Sequence, residues 1–340
     1  MHIDLRSDTV TLPSKAMKLF MMEAPLGDDV FQEDPTINKL EAYAAKYFDK
    51  EAALFCASGT QTNQIAINVH CKPGDAVICS EDAHIYFYEG GGIAKNSGCS
   101  VQLLKGDRGR ITAEAVAENI KDPTNPHYPL TRLVALEDTM NRGGGAIYDF
   151  NAIKEIRKVC DSNNLPLHLD GARVFNALIE NKIQPHEYAR PFDSISICLS
   201  KGLGAPVGSI LLGNKDFIDR ARRVRKVMGG GMRQAGIIAA GGLYAMQNNI
   251  DRLKEDHLHA KQLENELQQL TWIENVLPVQ TNIIVAKVAA HKNVDKIIQK
   301  CAQKGLFFMP FGEQTFRMVT HLDITNKDIN DCIHILKTIS

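Results

Sequence analysis

Short apolar runs alternate with stretches of helical period through the first two thirds of this chain, and that alternation narrows the possible folds more than any other feature. The apolar runs occupy residues 52–57, 76–79, 100–104, 133–137, 167–169 and 194–199. Amphipathic stretches lie between them, among them residues 60–69, 112–120 and 150–161. A short run that is apolar on both faces suits a strand covered by helices on either side, and the intervening helix supplies the crossover. The pattern predicts a doubly wound α/β domain with a mostly parallel sheet. Residues 207–212 form another apolar run too close to its predecessor for a helical crossover, so this strand is expected to run antiparallel. Residues 235–270 read as one long helix interrupted only by Gly241-Gly242, of a length that bridges two lobes. Beyond it, residues 282–285, 307–309 and 316–319 read as strands, and residues 294–304 and 327–338 as helices. These make a smaller α+β domain. The expected division is 1–245 and 246–340.

Composition excludes several classes. A chain of 340 residues buries a large core, and a formal net charge of -1 gives no footing for nucleic acid or a membrane surface. Basic residues gather at Arg220, Arg222, Arg223, Arg225 and Lys226, with Arg233 beyond; Arg220, Arg222 and Arg223 read as a solvated helix face. Eight cysteines are scattered without a C-x-x-C pair, several inside apolar runs. Buried free thiols in a reducing cytosol are expected, with no disulfide and no metal site. The first residues lack an apolar signal core, and the longest small and apolar stretch, residues 235–246, is too short to cross a bilayer. The expectation is a soluble, cytoplasmic protein.

Two of the predicted strands end in chemistry. The run at residues 167–169 leads into Asp170-Gly171-Ala172-Arg173, and the run at 194–199 leads into Ser200-Lys201-Gly202-Leu203-Gly204. In open α/β sheets the crevice beyond the carboxyl ends of the strands holds ligands. An amine and a carboxylate placed there are two parts that a pyridoxal-phosphate enzyme needs: a Schiff-base lysine, and an acid that keeps the pyridine nitrogen protonated. Ser58-Gly59-Thr60-Gln61 joins a strand to a helix. It reads either as an ordinary turn or as a phosphate site of free N–H groups, with Thr60 capping the helix; Lys201 and Asp170 favour the phosphate. His168 shares a strand face with Asp170, as its partner or as a core histidine. His84, past the strand at 76–79, is a stacking residue for a cofactor ring or a polar loop residue. Arg317, in a small-domain strand, is a carboxylate ligand or an edge-strand arginine in water. Gly202-x-Gly204-x-x-x-Gly208 is a poor nicotinamide loop, because Pro206 and a strand stand where the helix should open.

Together these residues resemble the low-specificity L-threonine aldolases of the aspartate-aminotransferase-like superfamily. The resemblance runs through Asp4-Leu5-Arg6-Ser7-Asp8-Thr9-Val10, Gly27-Asp28-Asp29-Val30, Asp34-Pro35-Thr36, Ser58-Gly59-Thr60-Gln61 and Asp170-Gly171-Ala172-Arg173. It continues in Ser200-Lys201-Gly202-Leu203-Gly204, Gly229-Gly230-Gly231-Met232-Arg233-Gln234 and Arg317-Met318-Val319-Thr320-His321. It implies a fold type I large domain with a seven-stranded sheet, and retro-aldol cleavage of threonine-like amino acids to glycine and an aldehyde. By the same resemblance Lys201 carries pyridoxal 5'-phosphate, Asp170 pairs with its ring nitrogen, Arg173 lies near the phenolic oxygen and His84 stacks on the ring. Gly59 and Thr60 hold the phosphate, with Arg233 reaching it from a neighbouring subunit. Ser7 and Arg317 bind the substrate carboxylate, His127 lies near the substrate hydroxyl and Lys226 stands at the entrance. A homotetramer with shared sites is implied. The family reads Glu-Asn-Thr-His-Asn where this chain has Glu137-Asp138-Thr139-Met140-Asn141, and tyrosine where it has Phe31. Alternatives are a β-eliminating lyase, a serine hydroxymethyltransferase-like enzyme, or a cofactor-binding protein without catalysis.

Overall fold

The computed structural model describes residues 2–339. Its strands in chain order are β1 (Ile3–Asp4), β2 (Ala52–Cys56), β3 (Ala76–Ser80), β4 (Ser100–Leu104), β5 (Thr131–Glu137), β6 (Leu167–Gly171), β7 (Ser194–Cys198) and β8 (Ser209–Gly213). They are followed by β9 (Ile273–Val276), β10 (Ile283–Val288), β11 (Leu306–Phe307), β12 (Met309–Gly312) and β13 (Thr315–Val319). Seven of them form the central sheet in the order β2-β8-β7-β6-β5-β3-β4. β8 runs antiparallel to both β2 and β7, as the tight connection requires, while β7, β6, β5, β3 and β4 are mutually parallel.

Every residue of β3, β6, β7 and β8 is buried. Yet β6 and β7 carry polar groups on one face: His168, Ser194 and Ser196. The helix Gly59–His70 lies over them and supplies polar partners. Thr62 and Ser196 hydroxyls bond at 2.6 Å, His168 and Ser194 at 2.8 Å, and His70 and Ser194 at 2.9 Å. Burial holds His168 and His70 neutral, with values pushed down to about 4 and about 3, and His168 and Arg220 add to the lowering of His70. The other sheet face buries Leu167, Leu169, Ile195 and Ile197 in the principal core.

A second core gathers Ile3 and Leu5 with residues of the C-terminal third, including Leu263, Trp272, Phe308 and Phe316. Its sheet is four-stranded and antiparallel, in the order β12-β13-β10-β9. β1 pairs in parallel with β11, so the first residues are stitched to this sequence-distant lobe.

Three sequence expectations fail here for identifiable reasons. Residues 235–270 are two helices, Gly236–Asn248 and Leu253–Leu267; the break falls at 249–252, where the Asn249 amide donates to the Leu203 carbonyl at 2.7 Å. Gly241 and Gly242 do not interrupt the first helix. A Cβ on them would lie 2.9 Å from Pro206 Cδ and 2.5 Å from Leu199 Cδ1, so they are smooth surface for close packing. The strand expected over 307–309 is divided at the buried Phe308 between β11 and β12, which pair with different partners. Arg222 is not on a solvated face: it is half-buried and donates to Glu41 at 3.0 Å. Arg220 and Arg223 are exposed as expected, whereas Arg225 is fully buried and bonds Asp29 and the Phe55 carbonyl, each at 2.6 Å. All eight cysteines are free and buried. Among the described residues no helix is long and apolar enough to cross a membrane.

Candidate active site

The carboxyl ends of β5, β6 and β7 open on a cavity of about 380 Å³ lined by Ser7, Thr9, His84, Tyr88, Asn141, Arg173, Lys201 and Arg317, with Met309, Pro310 and Phe311 from β12. Lys201 lies three residues beyond β7 in a turn closed by the Gly204 N–H bond to the Lys201 carbonyl at 2.8 Å, and Gly204 takes φ +74° there. The Thr11 hydroxyl donates to the same carbonyl at 3.1 Å. The ammonium has no hydrogen-bond partner among the described residues, so its amine is left to the cavity.

Asp170 is the penultimate residue of β6, buried. Its Oδ2 accepts the Asn63 amide at 2.9 Å and its Oδ1 accepts the Ala172 N–H at 3.2 Å. His168 does not touch Asp170 directly. Its Nε2 meets Asn63 Oδ1 at 3.1 Å, so Asn63 links the two. Next to Asp170 in register stands Glu137. Burial, then repulsion from Asp170, pushes the Glu137 carboxyl up to about 7, against N–H bonds from Asn141 at 2.8 Å and His84 at 2.6 Å. Those bonds fold the 137–141 loop beneath the cavity. Met140 packs inward there, fully buried, while Phe31 is exposed.

Arg173 is buried and paired with Asp8: its Nε and Nη2 donate to the carboxylate at 2.8 and 2.7 Å. Burial opposes the Asp8 charge, but the Arg173 guanidinium beside it holds the carboxyl well below the usual range. Arg317 projects from β13, with Nη1 on Asn141 Oδ1 at 2.8 Å and Nη2 on the Arg6 carbonyl at 3.1 Å. Its Nε is buried and has no partner. Burial, then the nearby Arg173, lowers its value to about 10. The Ser7 hydroxyl accepts from the Thr9 N–H at 3.2 Å and from the Thr9 hydroxyl at 2.8 Å. His84 opens a short helix, its Nδ1 3.0 Å from Glu89 Oε1.

At the start of the Gly59–His70 helix the cap is Ser58, whose hydroxyl accepts the Gln61 N–H at 3.2 Å; Thr60 does not cap it, because it is already inside the first turn. The Gly59 and Thr60 N–H groups carry no acceptor among the described residues. A Cβ on Gly59 would meet Cys198 Sγ at 2.6 Å.

Three expected site residues are not with this group in the same chain. His127 is exposed in the loop that enters the amino end of β5, the opposite edge of a parallel sheet from Lys201, with its N–H on Asn125 Oδ1 at 3.0 Å. Lys226 is exposed beside a separate cavity of about 590 Å³ that Arg222 and Arg223 also line. Arg233 is exposed and pairs with Asp28 at 3.0 Å. Asp8, Asn63 and Glu89 had no assigned role in the sequence. Asn63 and Gln64 left a signal, being polar positions on the inward face of an amphipathic helix.

Residues 4–291 match the family model described as beta-eliminating lyase. The low specificity L-threonine aldolase of Escherichia coli is 42% identical over 328 residues, covering 96% of this chain and 96% of that protein. Low-specificity L-threonine aldolase 1 of Arabidopsis thaliana is 40% identical over 334 residues, covering 96% and 93%. Among solved structures, the threonine aldolase of Leishmania major superposes with a TM-score of 0.86 at 20% identity, covering 98% of both chains. A putative L-allo-threonine aldolase of Listeria monocytogenes gives 0.81 at 20% identity, covering 95% and 93%. The structural likeness speaks for the fold, and the sequence likeness across nearly the whole chain speaks for the family: this chain belongs to the beta-eliminating lyase family, alongside its low-specificity L-threonine aldolases.

Proposed function

We propose that the protein is a pyridoxal-phosphate-dependent low-specificity L-threonine aldolase, a lyase that cleaves L-threonine, L-allo-threonine and related β-hydroxy-α-amino acids to glycine and an aldehyde. One observation carries the reading: the free amine of Lys201 and a partnerless buried Nε of Arg317 address the cavity over which Asp170 is held.

The residues suit the cofactor. Lys201 offers the amine that would hold it covalently. Asp170, fixed through Asn63, would keep a proton on the ring nitrogen. The unpaired N–H groups of Gly59 and Thr60, at a helix start where a side chain on Gly59 would collide with Cys198, would hold its phosphate. Arg173 would lie beside the ring and His84 against its face. Bound there, the cofactor supplies an electron sink for the pair released when Cα–Cβ breaks. Everything else falls to the protein. Arg317 and Ser7 orient the substrate carboxylate, which sets the bond to be broken across the ring plane. A histidine, His84 or His127, or a phosphate-linked water, removes the β-hydroxyl proton.

The remaining site residues support shared sites. His127, Lys226 and Arg233 lie away from Lys201 in their own chain, and we place them at sites of neighbouring subunits in a homotetramer built as a dimer of dimers. A cytoplasmic location and a two-lobe division at residues 245/246 belong to the same reading; two separate cores favour two lobes, with Met246 and Leu253 packing in the first core and Ile3 and Leu5 in the second.

The test is a rate measurement on the four threonine stereoisomers with added cofactor and without folate, following glycine and acetaldehyde. Both products are expected from the two L-isomers. Release of a keto acid and ammonia instead of glycine would replace this reading with β-elimination.

A further inference from the structure

Glu89 is a buried carboxylate on which three donors converge beside the cavity, and the reaction as drawn so far makes no use of it. Its side chain is fully buried, while that of its partner His84 is 29% exposed toward the cavity. Three donors converge on it: His84 Nδ1 at 3.0 Å and Asn63 Nδ2 at 2.9 Å on Oε1, and Gln64 Nε2 at 2.7 Å on Oε2. The direction of these bonds follows from the network. The Asn63 amide nitrogen faces two carboxylates, Glu89 and Asp170, so it donates to both and its oxygen accepts from His168 Nε2. Glu89 is therefore an acceptor throughout, and the proton of a neutral His84 sits on Nδ1. Nε2 is left as the basic nitrogen, with no partner among the described residues.

We propose that Glu89 is a positioning residue: it fixes His84 in the tautomer that turns a basic Nε2 to the cavity, ready for the β-hydroxyl proton that the aldolase reading gives to a base there. The inference deepens the aldolase reading and rests on it. In the step, the O–H bond breaks and its proton moves to Nε2. The O–H pair becomes the second C–O bond of the aldehyde, the Cα–Cβ pair stays with Cα, and a proton later takes the place of Cβ. Asn63 ties the same carboxylate to Asp170, so the residue that orients the base also steadies the acid under the cofactor ring. The His84, Glu89 and Asp170 ligand atoms lie within 4.8 Å of one another, a spacing that these hydrogen bonds account for.

The charged groups facing the imidazole are Glu89 after its own helix, Glu137 at the end of β5 and Asp170 at the end of β6; Lys201, Arg173 and Arg317 are the cations of the cavity. Burial opposes a charge on His84, but the Glu89 bond, then Asp170 and Glu137, outweigh it and raise the imidazole above its ordinary value. Loss of the Glu89 charge therefore lowers it.

The experiment compares holoenzyme of wild type, Glu89→Gln and Glu89→Asp in two reactions: threonine cleavage, and exchange of the glycine α-proton in D2O, which needs no hydroxyl base. Separately, carbethoxylation of His84 against pH is read by peptide mass mapping on the cofactor-free chain. In Glu89→Gln, kcat for cleavage should fall roughly 100-fold, and by roughly tenfold more than exchange, with KM little changed. The acid limb of kcat/KM and the carbethoxylation midpoint should both move to lower pH, and Glu89→Asp should restore both. Equal losses in cleavage and exchange, or an unmoved limb and midpoint, would overturn the proposal. If Glu89→Gln does not fold, Glu89→Asp decides alone, since a carboxylate drawn back by one methylene should still depress cleavage relative to exchange. A wild type that cleaves no threonine would sink the aldolase reading instead; the carbethoxylation shift would still judge the Glu89–His84 link.

Discussion

Replacement of Asp8 by asparagine should be among the most damaging isosteric changes available to this chain. The two oxygens of Asp8 take two charge-assisted bonds from Arg173 at 2.8 and 2.7 Å, and a third donor, Asn282 Nδ2, reaches Oδ2 at 3.2 Å. Side-chain exposure is 6% for Arg173 and 0% for Asp8, so water does not screen the pair. An asparagine keeps one acceptor and turns an N–H2 group toward donors, leaving a buried guanidinium without its counter-charge. Breaking a buried pair from one side costs about 3–5 kcal/mol. In a chain of this size that lowers Tm by roughly 4–7 °C. The assay is urea unfolding of the cofactor-free protein, followed by far-UV circular dichroism and by the fluorescence of Trp272, the one tryptophan. The sign with pH is also fixed. The folded-state carboxyl is depressed, so its contribution is complete above the unfolded value of about 3.9 and is lost as pH falls toward the folded one. The gap between wild type and Asp8→Asn should be constant from neutral pH to about 5 and narrow below about 4. Asp8→Asn combined with Arg173→Met removes both charges and should recover a large part of the loss. A single variant within about 1 kcal/mol of wild type, or a double variant no better than the single, would refute the reasoning.

Lys201→Ala should abolish turnover and leave no cofactor attached to the chain, as borohydride reduction with peptide mapping would show; a tag recovered at position 201 in wild type is the matching positive result. Arg317→Ala should raise KM for threonine by roughly 10- to 150-fold, the worth of charged hydrogen bonds to a carboxylate, with kcat falling less; an unchanged KM would remove Arg317 from the carboxylate site. Burial pushes the Asp138 carboxyl up to about 7, despite its bond from the Tyr188 hydroxyl. A raised acid favours the folded state below the unfolded value and loses that advantage as pH rises through the folded one, so stability should decline between about pH 4 and 7. Glu137 adds to the same decline. Asp138→Asn should make the decline shallower in unfolding curves measured across that range, and an unaltered slope would contradict the burial argument.

The sequence made the sheet legible because its strands are buried on both faces and therefore apolar along most of their length. It also placed Lys201 and Asp170 on one lip, since both follow parallel strands in the same sense. What stayed hidden depended on distant partners. β1 and β11 are two residues each, too short to carry a period, and exist only because they pair. Gly241 and Gly242 look like a break until the side chains of Pro206 and Leu199 occupy the space in front of them. His127 is brought by resemblance to the site, but the chain enters β5 at the far edge, and no local pattern announces that. Asn63 and Glu89 are ordinary polar letters until Asp170 and His84 are set between them.

The stretch from Ile3 to Thr11 has a consequence for what the cavity admits. Ile3 and Leu5 bond to Gly305 and Phe307, the Arg6 carbonyl takes Arg317 Nη2, and the Thr11 hydroxyl grips the carbonyl of Lys201. One short ribbon thus sets the span between the group that would clasp a carboxylate and the group that would receive an amine. On the proposed aldolase reading it would serve as a ruler for an acid and an amine on the same carbon, and a β-amino acid, longer by one bond, should fail to register against both marks at once.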